Sequence, residues 1–310
     1  MRPLLCGLLL IPACALGDCD MLVIAHRGAS GDLPEHTLAA YVLAIEQGAD
    51  YIEPDLVPTK DGHLIARHEN LLNQTTNVAD VYPERRRKAV VRGHDVEGWF
   101  SEDFTLEEIK RLRARERMPQ IRPESASHDG RYEIATFAEV VALAAKQGVG
   151  LYPELKQPGY YRALGIDVVD LFVTALEQLR VDIEGPLYIQ SFEPRSLNEL
   201  RERLGPNARL VQLSGEAPNL ADIAMYANGV GLPLPLALAP GFVMSAHIHG
   251  LEVHPYTLRA EPQFLPDGVS FKDAVTRLKG AGVDGFFTDH PGRAVQSLRP
   301  GLRRDCLRSP

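Results

Sequence analysis

The residues best suited to chemistry sit at the ends of short apolar runs. LVIAH (22–26) ends on His26 and leads into Arg27, YIEPD (51–55) carries Glu53 and Asp55, LIARH (64–68) ends on His68, and YPELK (152–156) carries Glu154 and Lys156. Imidazole changes charge near neutral pH, which makes His26 and His68 the natural general acid and base. Glu53 and Asp55 are two apart on a strand and share a face, and Glu154 ends the next parallel strand. Three converging carboxylates repel one another and shift their pKa values upward unless a cation holds them. Oxygen-only ligation suits Ca²⁺ or Mg²⁺ rather than zinc. Arg27 and Lys156 add the positive charge that a phosphodiester needs as negative charge develops on its equatorial oxygens. A serine hydrolase fits less well: there is no G-x-S-x-G elbow, and Ser30 and Ser191 lack a convincing partner order. His254, in VHPY, has the position of a pocket-lining residue, whereas His63 and His94 read as structural and His247 and His249 as surface residues of a helix.

Elements must bring these groups together, and the chain alternates strand-like runs with helix-period segments. In TLAAYVLAIEQG (37–48), Leu38, Tyr41, Val42 and Ile45 follow a spacing of three and four, and Gly48 sits where a helix stops. Parallel-type strands begin at Leu22, Tyr51, Gly150, Leu187, Arg209, Gly229, Leu251 and Val283. Strand then helix, eight times over, predicts an α/β (β/α)8 TIM barrel with a small insertion after the second strand. Such barrels carry function at the carboxyl ends of their strands, where the polar residues collect. A doubly wound sheet is the structural alternative, but HRGASG lacks the G-x-G-x-x-G spacing. Asp61-Gly62 marks a local antiparallel hairpin. The insertion, residues 69–136, reads as surface loops at 84–88, 93–100 and 123–131 around one helix at 105–113, where Thr105 and Glu108 fit a capping box.

The 310 residues hold 41 acidic against 33 basic side chains, a formal charge of −8, which argues against a nucleic-acid partner. The N-terminus reads as a signal peptide, residues 1–17, with Arg2 before the apolar run LLCGLLLIP (4–12) and small residues after it. That run is too short for a transmembrane segment. Cleavage after Gly17 is one reading; a lipobox-like reading of IPAC makes Cys14 a lipid anchor. Either way an exported, periplasmic location is expected, with residues 18–310 as a single domain. Cys19 and Cys306, near the two ends, are either bridged or free.

The stretch HRGASGDLPEHTLAAYVLAIEQGADYIEPDLVPTKDGHLIARHE (26–69) resembles the signature region of glycerophosphodiester phosphodiesterases, especially the bacterial periplasmic type. The similarity runs on through YPELKQP (152–158), YIQSFE (188–193), VHPYTLR (253–259) and GVDGFFTDHP (282–291). It implies a TIM-type barrel, His26 and His68 as acid–base pair, and Glu53, Asp55 and Glu154 on a divalent metal, calcium in the periplasmic type. Arg27, Lys156 and Glu35 fall on substrate- and phosphate-site positions, Arg27 contacting the phosphate and Glu35 supporting the site. His36 stands where many relatives carry asparagine. The implied reaction is hydrolysis of small glycerophosphodiesters, such as glycerophosphocholine or glycerophosphoethanolamine, to glycerol 3-phosphate and an alcohol. Rival readings are a phosphodiesterase acting on intact phospholipids at a membrane and a non-catalytic binding protein that keeps the barrel. The second would show erosion of the histidines or acids, and all five are present.

Overall fold

A computed structural model describes residues 21–91 and 93–300. The expected signal peptide, Cys14, Cys19 and Cys306 lie outside the described residues. Leu22–His26 is the first strand of a closed parallel barrel. It pairs with Tyr51–Glu53 on one side and with Gly285–Thr288, the last barrel strand, on the other. Between these run Tyr188–Ser191, Arg209–Leu213, Gly229–Gly231 and Glu252–Val253, each parallel to its neighbour. The ring closes where the amides of Asp284 and Phe287 donate to the carbonyls of Val253 and Pro255, at 3.1 and 3.0 Å. An open doubly wound sheet is thereby ruled out.

Prolines interrupt the second and third strands without breaking the ladder. The second is Tyr51–Glu53 and Asp55–Pro58 on either side of Pro54; the third is Gly150–Leu151 and Glu154–Leu155 around Pro153. Proline has no N–H to donate but keeps its carbonyl. Glu154 N donates to Pro54 O at 2.9 Å and Gln190 N to Pro153 O at 2.9 Å, so pairing continues across both. Helices cover the outside, several of them started by a side-chain cap. Thr37 caps Leu38–Glu46 by accepting from Ala40 N, and Thr136 forms a capping box with Glu139 at the start of Phe137–Gln147. Among the described residues, no helix is long and apolar enough to cross a membrane.

Two predicted details differ. The hairpin at Asp61-Gly62 forms as expected, Asp55–Pro58 against Leu64–Ala66, and Thr105 caps Leu106–Lys110 with the predicted box. The stretches read as loops at 84–88 and 93–100, however, contain an antiparallel hairpin, Arg87–Val91 with His94–Gly98. Ala89 faces Val96 across it, and β-branched Val90, Val91 and Val96 favour the extended chain. One face, with Ala89 and Val96, is half-buried and the other is exposed but carries Val90, so no hydrophobic alternation advertised it. Short helices also form at Pro123–Ala126, inside the stretch read as a loop at 123–131, and at Pro158–Ala163.

The barrel interior sets the height of everything above it. Ile24, Tyr51, Tyr152, Tyr188, Val211 and Phe287 form one buried cluster, contributed by six strands. Successive side chains on a strand alternate faces, so the residue two further on points the same way. Advancing each position by two gives His26, Glu53, Glu154, Gln190, Leu213 and Asp289. The site is the next layer up.

Candidate active site

Above that apolar floor lies a cavity of about 450 Å³, lined among others by His26, Arg27, Glu53, His68, Glu154 and Lys156. Glu53, Asp55 and Glu154 each place a carboxylate oxygen within 4.8 Å of the others, and all three are buried. Burial, then Asp55 and Glu154, pushes the Glu53 carboxyl well above its usual range. Burial also raises Glu154 to about 8, with Asp55 adding to the rise and Lys156 opposing it. Burial works against Asp55 too, but Lys156, His68 and His36 outweigh it and hold that carboxyl well below the ordinary range. Lys156 Nζ is 2.8 Å from Glu154 and 3.5 Å from Asp55. Asp55 Oδ1 and Gln190 Oε1 are buried without a hydrogen-bond partner. Three crowded acids, two of them with raised pKa values and the third with an orphaned carboxylate oxygen, are the donor set of a hard divalent cation, and the triad fits one.

His26 and His68 share one design. His26 Nδ1 lies 2.6 Å from Asp289 Oδ1, and His68 Nδ1 is hydrogen-bonded to Glu69 Oε1. Asp289 is held well below the usual carboxylate range, since His26, Arg259 and Arg122 outweigh its burial, and Glu69 is at about 2, where His68 and Arg117 outweigh burial. Both are ionised and can only accept, so each imidazole donates from Nδ1, which leaves Nε2 outside that bond. Burial and then Arg27 depress His26, and burial, Arg27 and Lys156 bring His68 down to about 3.

Arg27 has a positive φ of 62°. Its N–H donates to Glu53 Oε2 at 2.8 Å, its guanidinium to Glu35 at 3.1 Å, and its Nε lies 3.4 Å from Asp55 with no hydrogen-bond partner of its own. Glu35 sits to the side of the main cavity, salt-bridged to Arg27 and Arg117, and so braces those arginines.

One expectation changes in the structure. His254 does not line the pocket: it is fully buried among the rings of Tyr152 and Tyr188, with Nδ1 2.8 Å from the Tyr152 hydroxyl. Its backbone position suggested a strand end, but its side chain belongs to the floor. The glycines after Arg27 are required by packing. A Cβ on Gly28, at φ +87°, would lie 2.7 Å from the Ala40 carbonyl carbon, and one on Gly31 would lie 2.3 Å from the His290 ring. Sequence reasoning also missed partners. His36 bridges Tyr41 Oη and Asp55 Oδ2 at 2.8 and 2.9 Å, while Arg117 and Arg122, from the insertion, reach the carboxylates beside both histidines. For His36 the signal was its place in P-E-H-T; for the two arginines no local signal exists.

The model of the Glycerophosphoryl diester phosphodiesterase family matches residues 26–293. The chain belongs to this family. It is 35% identical to a glycerophosphodiester phosphodiesterase of Arabidopsis thaliana, covering 87% of this chain and 83% of that protein. It is 31% identical to a glycerophosphodiester phosphodiesterase of Haemophilus influenzae, covering 90% of each. Among solved structures, an Oleispira antarctica phosphodiesterase in complex with the product sn-glycerol-3-phosphate superposes with a TM-score of 0.68 at 22% identity, covering 90% of this chain and 96% of that one. A glycerophosphodiester phosphodiesterase from Agrobacterium tumefaciens gives 0.65 at 20%, covering 88% and 98%. These two likenesses concern the fold, and they agree with the barrel. As a glycerophosphodiester phosphodiesterase, the chain is an enzyme, and its acidic triad stands where its strand ends converge.

Proposed function

We propose that this phosphodiesterase hydrolyses small soluble glycerophosphodiesters, glycerophosphocholine and glycerophosphoethanolamine among them, to sn-glycerol 3-phosphate and an alcohol. The observation that carries this reading is the pair of carboxylate-held histidines lining one cavity with a buried three-acid cluster. Glu53, Asp55 and Glu154 hold the divalent metal, Ca²⁺ in preference to Mg²⁺. When bound, such an ion supplies Lewis acidity toward phosphate and hydroxyl oxygens. Arg27 and Lys156 face the same cavity and offset the phosphate charge. One histidine, neutral, takes the proton of the nucleophile at Nε2 while the other, carrying a proton on both ring nitrogens, gives its Nε2 proton to the departing alkoxide. The roles follow the resemblance and the geometry together. We further propose an exported, periplasmic enzyme with a signal segment at 1–17, a single domain at 18–310 and an insertion at 69–136.

Purified protein incubated with glycerophosphocholine and Ca²⁺ should release glycerol 3-phosphate, and EDTA should abolish release. Ca²⁺ should also raise the thermal midpoint, because it relieves repulsion among the three acids. Turnover that persists in chelator, with no thermal shift, removes the metal role. An intact phospholipid in the same assay distinguishes the membrane-acting alternative.

A further inference from the structure

The insertion reaches back into the site through two arginines five residues apart. Arg117 grips two carboxylates at once. It donates to Glu35 at 2.8 and 2.7 Å from Nε and Nη2, and to Glu69 at 3.0 and 2.7 Å from Nη1 and Nη2. Glu69 is the residue on which His68 Nδ1 rests. Arg122 donates to Asp289 Oδ2 at 2.6 Å, and Asp289 Oδ1 holds His26 Nδ1. The same guanidinium donates to Ser30 O at 2.8 Å, and the Ser30 hydroxyl donates to the His26 carbonyl at 2.7 Å. His26 is therefore held by both its ring and its backbone.

The segment bearing these arginines is itself braced. Glu116 N donates to Asp129 at 2.7 Å, and the Glu116 carboxylate accepts from Met118 N at 2.9 Å and from the Ser125 hydroxyl. Arg122 is buried and Arg117 nearly so, where paired guanidinium–carboxylate bonds are strong and geometrically strict. Both also line a smaller cavity of about 210 Å³ that shares His26, Arg27 and His68 with the main one.

We infer that Arg117 and Arg122 are positioning residues for the hydrolysis: through Glu69 and Asp289 they fix the tautomer and orientation of His68 and His26, making the insertion part of the catalytic apparatus. This rests on the reading of the two histidines as the acid–base pair. A partner that stops orienting an imidazole costs rate rather than ground-state affinity, because the substrate still binds while proton transfer loses alignment. Arg117 has a second arm, through Glu35 to Arg27, which acts on affinity.

Steady-state kinetics on glycerophosphocholine with saturating Ca²⁺ test it in the full chain. R122A should lower kcat about 10- to 100-fold while KM stays within about threefold. In a D289N background, R122A should cost clearly less than it does in the parent, because the route through the ring is already cut and only the backbone route through Ser30 remains. R117A should lower kcat similarly, add little to kcat in E69Q, and raise KM through its other arm. If an alanine variant does not fold, R122K and R117K take its place: each keeps the charge but loses the forked grip, and each should lose kcat at a near-parental thermal midpoint. Parental kcat in these variants, or losses that multiply fully with D289N and E69Q, overturns the inference. Should H26A and H68A themselves keep turnover, the acid–base reading fails instead; collapse of those two beside unmoved arginine variants sinks the inference alone.

Discussion

At the residue scale, each histidine is defined by what lies on its Nδ1. Asp289 and Glu69 are both ionised, so His26 and His68 present Nε2 to the cavity with the tautomer already chosen. Neither carboxylate belongs to the acidic triad: Glu53, Asp55 and Glu154 crowd together, and two of the three are driven toward the protonated form. H26A and H68A should each lower turnover at least about 100-fold, measured as glycerol 3-phosphate release. A loss below about tenfold in both would remove the acid–base assignment. E154Q should instead weaken the Ca²⁺-dependent thermal shift, since it deletes one oxygen anion without disturbing the histidines.

At the element scale, the loop between Leu22–His26 and Leu38–Glu46 shows how tightly the first unit is wound. Gly28 N donates to Ala25 O and Ala29 N to Ala40 O, which presses the loop onto the start of the helix. G28A combines a left-handed backbone at φ +87° with a Cβ 2.7 Å from Ala40 backbone. The substitution should destabilise the protein by about 2–4 kcal/mol in urea unfolding. A change within about 0.5 kcal/mol would show that the loop can relax. The alternation of strands and helices was legible because buried parallel strands read as continuous apolar runs. The insertion hairpin was not, since Arg87–Val91 and His94–Gly98 put apolar Val90 on the exposed face and Arg87 on the half-buried one, so the sequence carries no clear period.

For the whole molecule, the barrel floor carries a titratable group with no part in the proposed chemistry. Burial brings His254 down to about 4 from an ordinary value near 6.5, leaving it neutral beneath Tyr152 and Tyr188. As pH falls below about 6.5, the unfolded chain takes up a proton that the folded chain refuses. Stability therefore falls with falling pH, and between pH 7 and 5 the share from His254 is about 2 kcal/mol. Denaturant unfolding at the two pH values should show that loss in the parent chain and a smaller one in H254N. Equal losses in both would assign the acid sensitivity elsewhere.

By itself the sequence determined the alternating strands, the polar residues at their carboxyl ends and the class of ion that three oxygen anions invite. Those are local properties: a strand's two-residue period and a side chain's acid–base character do not depend on distant neighbours. The tertiary structure alone decided who touches whom. His26 meets Asp289 across 263 positions of sequence, and Arg122 meets the same carboxylate across 167. No periodicity encodes such pairs, because they exist only once the ring closes between the first and last strands and the insertion folds back over it. Closure likewise moved His254 from the expected pocket wall to the floor, as a side chain's height in a barrel depends on strand stagger and not on its own run of residues.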